Sequence, residues 1–294
     1  AIVGGHFLAA GGVPGTRNVA SWSSPGSWSA FNSGIYGEGV PESLDHVLAM
    51  TAYQGALIVG GEFWTDGSQV FGNIARWDGT TWHRMTTDSF INGAVETLLV
   101  DKGLLYVAGD FTSIAGLASR YSAIWDGSQW SAMASDFTAS TSGPIYTLAV
   151  YDGSIIAGGW FSSASGEPAT GLARWNGSAW RPLYHNAGNM PGVEVRQMRV
   201  FGDRLFIAGA FDKLGPDLVS SNIAAWRAVC VTGDANCDGF MTVGDIGAFV
   251  TAVTNSMAYA AQFPDCNFLN SDVDGSGEVT VGDIGPFVGL LTGS

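Results

Sequence analysis

Gly60-Gly61-Glu62-Phe63, followed fourteen residues after the phenylalanine by Trp77-Asp78-Gly79-Thr80-Thr81-Trp82, is one copy of a phrase that recurs through residues 1–226. Its first half returns as Gly4-Gly5-His6-Phe7, Ala108-Gly109-Asp110-Phe111, Gly158-Gly159-Trp160-Phe161 and Ala208-Gly209-Ala210-Phe211, with the phenylalanines 56, 48, 50 and 50 residues apart. Trp22, Trp77, Trp125, Trp175 and Trp226 follow in phase. In three copies the second half reads Trp-[Asp/Asn]-Gly-x-x-Trp and ends at Trp82, Trp130 and Trp180, while Trp28 takes that part in the first copy, one residue later. Asp-Gly or Asn-Gly between β-rich runs predicts a hairpin whose two turn residues take positive φ.

Each period holds four short strands. A run such as Val95–Val100 or Ile145–Val150 leads, and a turn at Lys102-Gly103 or Asp152-Gly153 follows. Next come the Gly-Gly-x-Phe strand, a strand ending in the first tryptophan and a strand starting at the second. Four strands in about 50 residues is the signature of a β-propeller blade. The double glycines and paired tryptophans resemble Kelch-like bacterial propellers, so the fold class is mainly β, a propeller of four-stranded blades with five in view. A parallel solenoid is the alternative, although its repeats are usually shorter. Five copies of the middle two strands but only four of the outer pair are present, and the chain starts partway through a blade. Either one of five blades is incomplete or upstream blades belong to the ring; the second is expected.

A different pattern closes the chain. Asp234-Ala-Asn236-Cys-Asp238-Gly-Phe240-Met-Thr242-Val-Gly-Asp245 is answered 38 residues on by Asp272-Val-Asp274-Gly-Ser276-Gly-Glu278-Val-Thr280-Val-Gly-Asp283. Oxygen side chains fall at loop positions 1, 3, 5, 9 and 12, and glycine stands at the sharp turn of position 6. Position 7 (Phe240, Glu278) supplies a backbone carbonyl. A hard cation takes six to eight oxygens at about 2.3–2.6 Å, which this alternation aims inward. Two Ca²⁺ ions are expected. Position 12 is Asp rather than the Glu of an EF-hand, and no helix of EF-hand type enters the first loop. Each loop runs into a helix with one apolar face: Ile246, Phe249, Val250 and Val253 after the first, Ile284, Phe287, Val288 and Leu291 after the second.

This duplicated loop–helix unit, residues 233–294, resembles a type I dockerin. The resemblance implies a small helical domain over 230–294, separate from the repeat region of 1–229, that folds around calcium and docks onto a cohesin-type domain of a scaffold or cell-surface protein. It places the contact residues at loop positions 10 and 11, here Val243, Gly244, Val281 and Gly282. Cellulosomal relatives often carry hydroxyl residues there, so specificity does not transfer. The near-identity of 242–250 and 280–288 suggests two docking orientations, or else two halves that simply pack on each other.

Residues 231–294 carry eight acids and no Lys or Arg, against 18 acids and 12 bases in the rest, so this tail holds −8 of the formal −14. An acidic chain with 12 bases is a poor partner for nucleic acid. No run of 18 apolar residues spans a membrane. Asp-closed loops suit millimolar extracellular calcium, so an extracellular or cell-surface location is expected. Three cysteines allow three pairings; Cys237–Cys266 would staple the two loops together and leave Cys230 free, the alternative being thiols that never pair.

Catalytic motifs are missing. The four histidines lack zinc-binding spacing, no serine sits between glycines in a nucleophile elbow, and neither lysine belongs to a P-loop. The periodic aromatics and turn acids read as core and turn formers. Residues that break the pattern are the candidate ligand contacts: Glu62, Trp64, Trp160, Tyr184 and His185. Exposed aromatic rings stack on the apolar faces of sugars. The expected function is a secreted, non-catalytic binding and assembly protein, its propeller carried by a calcium-dependent dockerin. A carbohydrate-active enzyme (glycoside hydrolase or polysaccharide lyase) is the alternative, and a tail that caps or retains the protein without docking is a third.

Overall fold

The computed structural model describes residues 1–294 apart from 38–44, 87–89, 134–142, 170, 184–192, 203, 213–220, 227–231, 237–240, 264–265, 267 and 293–294. Residues 1–226 form five antiparallel sheets in chain order. The first contains β1 (Ile2–Gly4), β2 (Val19–Ser23) and β3 (Ser27–Ala30). The second contains β4 (His46–Tyr53), β5 (Ala56–Glu62), β6 (Ile74–Trp77) and β7 (Trp82–Arg84). In the third, β8 (Val95–Asp101), β9 (Leu104–Gly109), β12 (Ser122–Trp125) and β13 (Trp130–Ala132) form the sheet, and β10 (Ser113–Ile114) pairs with β11 (Leu117–Ala118) as a side hairpin. The fourth repeats this plan with β14 (Ile145–Tyr151), β15 (Ser154–Gly159), β18 (Leu172–Trp175) and β19 (Trp180–Pro182), its side hairpin being β16 (Ser163–Ala164) and β17 (Glu167–Pro168). The fifth has β20 (Glu194–Phe201), β21 (Arg204–Ala210) and β22 (Ile223–Trp226). The meander of four strands per period is therefore as expected.

The repeated residues have two separate tasks. A Cβ on the second glycine, Gly61, Gly109, Gly159 or Gly209, would fall far inside contact distance of a carbonyl oxygen at the start of the leading strand or just before it, from His46, Ala94, Pro144 or Glu194. Only glycine lets the backbones cross this closely. Opposite it, Asn18, Asn73, Tyr121, Gly171 and Asn222 all have φ between 60° and 71°. Each donates its N–H to the carbonyl of the repeat phenylalanine and accepts the N–H of the second glycine, so the start of the third strand is tied to the Gly-Gly-x-Phe strand at two points in every sheet.

The tryptophans join one sheet to the one before it. The indole N–H of Trp82 donates to the Phe31 carbonyl at 3.1 Å, that of Trp130 to the Met85 carbonyl at 2.6 Å, and that of Trp180 to Ser122 Oγ at 3.1 Å. Phe63, Phe111, Phe161 and Phe211 are buried in the same seams. Successive sheets pack in chain order through the leading strands β4, β8, β14 and β20. Among the described residues no comparable packing joins the fifth sheet to the first, and no closed propeller is seen.

One piece of turn chemistry differs from the expectation. At Trp-[Asp/Asn]-Gly only the glycine has positive φ (Gly79 106°, Gly127 105°, Gly177 92°). The acid or amide works through its side chain instead: Asp78 accepts from the amides of Thr80 and Thr81, Asp126 from Ser128 and Gln129, and Asn176 from Ser178 and Ala179. Turns with two positive φ angles do occur, at Gln54-Gly55, Lys102-Gly103 and Asp152-Gly153.

The C-terminal residues form α1 (Ile246–Thr254), α2 (Ser256–Gln262) and α3 (Ile284–Thr292) around a small core of Ala235, Ala248, Phe249, Ala252, Tyr259 and Phe287. The equivalent residues Phe249 and Phe287 stack, with centroids 3.8 Å apart and planes 9° from parallel. The apolar helix faces are split. Phe249 and Phe287 point inward, whereas Ile246, Val250, Ile284 and Val288 are each about half exposed. No helix among the described residues is long and apolar enough to cross a membrane.

Candidate functional site

The two duplicated loops end in the same way. Thr242 and Thr280 cap the turn that opens each helix: the threonine hydroxyl accepts from the amide of Gly244 or Gly282, and the carboxylate of Asp245 or Asp283 accepts from the threonine's own amide at 2.8 Å. Loop positions 9 and 12 thus form a capping box, a role that their oxygen atoms alone did not announce. Asp245 also receives the Asn236 amide, and Asp283 those of Val273 and Asp274. Both aspartates are fully buried.

Around the second loop, carboxylate oxygens of Asp272, Asp274 and Asp283 lie within 4.8 Å of one another. Hydrogen bonds from Ser276 hold the Asp274 carboxyl below the usual carboxylate range. The Ser276 hydroxyl stands 3.1 Å from the Glu278 carbonyl, so positions 5 and 7 also converge. With no Lys or Arg anywhere in 231–294, nothing in this part of the chain neutralises three crowded carboxylates, one of them buried. Oxygen donors of this density suit a hard divalent cation. In the first loop Asp234, Asn236, Thr242 and Asp245 are described, while Asp238 and Phe240 lie outside the described residues.

Tyr259 of α2 holds the first loop in place, its hydroxyl donating to the Ala235 carbonyl at 2.7 Å. Burial pushes this phenol up to about 12. Cys266 is disulfide-bonded, and its Sγ lies 3.3 Å from the same carbonyl; Cys230 and Cys237 both lie outside the described residues. The docking positions Val243 and Val281 are 77% and 75% exposed, and Gly244 and Gly282 are exposed beside them.

A second cluster gathers where the leading strands of the sheets begin. Each carries a β-bulge at the same place, which leaves Leu48, Glu96, Tyr146 and Arg196 outside the regular pairing. Arg196 pairs with Glu194 at 2.7 Å and sits 4.6 Å above the Tyr146 ring. His46 faces Glu62 across β4 and β5, at 3.8 Å. Burial raises the Glu96 carboxyl above its ordinary value, helped by Glu62 and Asp110 and opposed by Arg196. Burial also raises Tyr146, with Glu194 adding to the effect. Groups from four sheets therefore share one electrostatic neighbourhood. Glu62 stands out from its place in the repeat. Glu96, Tyr146 and Arg196 do not, because the bulge that turns them out follows no residue type.

Trp160 occupies the matching place of the fourth sheet and is 45% exposed. Trp64 belongs to another patch, edge-on to Phe90, over which Arg84 lies. Tyr184 and His185 fall outside the described residues.

Comparison with known proteins gives a family match within the repeat region. No curated protein matches the chain. Two computationally designed proteins are similar at low level: Ika4, at 13% identity and TM-score 0.36 over 66% of this chain and 94% of its own, and Ika8, at 14% and 0.38 over 71% and 55%. A family described as a domain of unknown function (DUF5122) beta-propeller matches residues 152–177. That stretch runs from the turn before β15 through β18, so the inner half of the fourth sheet is similar to part of a propeller blade.

Proposed function

We propose that the chain is a secreted binding and assembly protein, in which a propeller-type repeat region is carried by a calcium-dependent, dockerin-like module that docks onto a cohesin-type domain. The observation that carries this reading is the duplication of one surface: Val243, Ile246 and Val250 on the first half and Val281, Ile284 and Val288 on the second stand equally exposed, each set beside an acid-rich loop. Apolar side chains kept outward twice over are what a partner-binding face needs. Calcium would be held by Asp234, Asn236, Asp238, the Phe240 carbonyl, Thr242 and Asp245 in one loop. Asp272, Asp274, Ser276, the Glu278 carbonyl, Thr280 and Asp283 would hold it in the other. A Cys237–Cys266 bridge fits the placing of the Cys266 sulfur beside Ala235.

The test is retention of secreted and surface proteins from the source organism on the immobilised chain, in millimolar calcium and again in EGTA. A partner carrying a cohesin-type domain should be retained only with calcium. Val243→Asp or Val281→Asp alone should leave retention intact, because the other face remains. The double substitution should weaken it by about 30-fold or more. Two calcium ions bound with no such partner retained would reduce the loops to a structural role.

The crowding of Glu96 by Glu62 and Asp110 supports a second reading, a polysaccharide-cleaving enzyme with Glu96 as its acid. Release of reducing ends from a polysaccharide panel, lost in Glu96→Gln, would decide for it; no release from any member would leave the cluster as a binding surface.

A further inference from the structure

We propose that Asn176 is a modification site, where the hairpin turn between β18 and β19 converts its own side-chain amide to a carboxylate, taking up water and releasing ammonia. The chain contains two Asn-Gly dipeptides, Asn92-Gly93 and Asn176-Gly177. With no Cβ on the next residue, the following backbone nitrogen can approach the asparagine side chain closely. At Asn176 the surroundings favour that approach. Its Oδ1 accepts three hydrogen bonds, from the Ser178 amide at 3.0 Å, the Ser178 hydroxyl at 3.0 Å and the Ala179 amide at 2.9 Å. Donors gathered on one carbonyl oxygen stabilise the negative charge it gains under nucleophilic attack. Gly177 is exposed, and among the described residues neither its N–H nor the Asn176 Nδ2 has a partner.

The steps balance without an oxidant or reductant. Water or hydroxide takes the proton of the Gly177 N–H as that nitrogen bonds to the Asn176 Cγ. The Cγ–Nδ2 bond breaks, and Nδ2 leaves as ammonia with a proton from water. Water then opens the resulting cyclic imide. Cleavage of the new N–Cγ bond gives aspartate, whereas cleavage at the original peptide carbonyl gives isoaspartate, with one more methylene in the main chain. The first step requires loss of the N–H proton, so the rate should climb with pH.

Asn92 is the built-in comparison. Its Oδ1 accepts the amides of Thr112 and Ser113, and its Nδ2 donates to Thr112 Oγ1 at 2.8 Å. These bonds reach across to another segment, so turning the side chain onto Gly93 breaks them together, and the nitrogen that must leave is held. Gly93 is itself crowded, since an added Cβ would fall against the Asp110 carbonyl. At the turns equivalent to that of Asn176 the chain already carries Asp78 and Asp126, which accept the matching amides. Hydrogen bonds from Gln129 and Ser128 hold the Asp126 carboxyl down at about 2, so it stands ionised and offers no leaving group. An aspartate product at 176 therefore suits this turn. Isoaspartate instead lengthens the loop between Trp175 and Trp180, whose rings pack 5.5 Å apart, and disturbs the bond that Trp180 makes to Ser122 across the seam.

Peptide mapping by mass spectrometry, on the full chain incubated in heavy-oxygen water at neutral and mildly alkaline pH, tests this. Residue 176 should take up one heavy oxygen as ammonia is released, faster at the higher pH, while Asn92 keeps its amide. In urea, where the turn is lost, the two sites should convert at similar rates. Ser178→Ala removes one donor and should slow conversion at 176 by about 2- to 12-fold, the worth of one hydrogen bond. Asn176→Asp, which installs the product, should keep the parent's melting temperature and tryptophan spectrum. An amide retained at 176 in the folded chain but lost in urea overturns the proposal. So does conversion of Asn92 at the same rate in the folded chain, or a Ser178→Ala variant that converts as fast as the parent.

Discussion

Adding EGTA to the full chain should abolish most of its helical circular dichroism while leaving the near-ultraviolet signal of its tryptophans unchanged. All 11 tryptophans lie in residues 1–226, so the two signals report different parts of the molecule. The reason for the collapse is a balance of small numbers. The helical part has a core of a few residues centred on the Phe249–Phe287 stack. Cores of this size supply about 3–5 kcal/mol. A cation present at 1,000 times its dissociation constant adds about 4 kcal/mol, which is as much again. Without it, eight acids and no bases repel one another at close range. The carboxylates of Asp245 and Asp283 also cap the helices, so disturbing the loops disturbs the first turns of α1 and α3. A helical signal that is unchanged after chelation would show that these loops do not need a metal to fold.

Gly109→Ala should cost roughly 3 kcal/mol or more, lowering the melting temperature of the sheets by on the order of 6–12 °C. The new methyl would sit against the Ala94 carbonyl, where backbone rather than a flexible side chain must give way. The repeat supplies its own control. Gly5 occupies the same place in the first sheet, where among the described residues the nearest atom to an added Cβ is 3.9 Å away on the Phe7 ring. Gly5→Ala should therefore stay within about 0.5 kcal/mol of the parent. Thermal melts of the two variants side by side separate the effect of crossing strands from a general intolerance of alanine in this phrase; equal losses would rule out the crossing strands as the cause.

The strand plan was legible because Gly-Gly-x-Phe and the paired tryptophans keep a constant phase, and a constant phase is what stacked sheets require. Sequence misleads where one residue type serves two geometries. Asp78, Asp126 and Asn176 have the composition of positive-φ turn formers, yet they act as side-chain acceptors. Gln54 and Lys102, which do take positive φ, are not positive-φ formers by type; hairpin closure beside Gly55 and Gly103 imposes the conformation on them. The third-strand tie is hidden for the same reason, since Asn, Tyr and Gly share a backbone state and little else. In the helices, spacing identified an apolar stripe but could not divide it, and Ile246 and Val250 proved to face outward. The loop oxygens were legible by type, because side-chain oxygen at alternate positions around a glycine turn is the arrangement a hard cation demands. Their second duty as helix caps emerged only from the hydrogen bonds.

The ties between the Gly-Gly-x-Phe strand and the third strand, and the seams between consecutive sheets, have a consequence for how the chain acquires its shape. Nearly every contact in residues 1–226 is made within a period or with the next one, so contact order stays low for an all-β protein. Closing one hairpin brings its neighbour within reach, and order can spread along the row from any starting point.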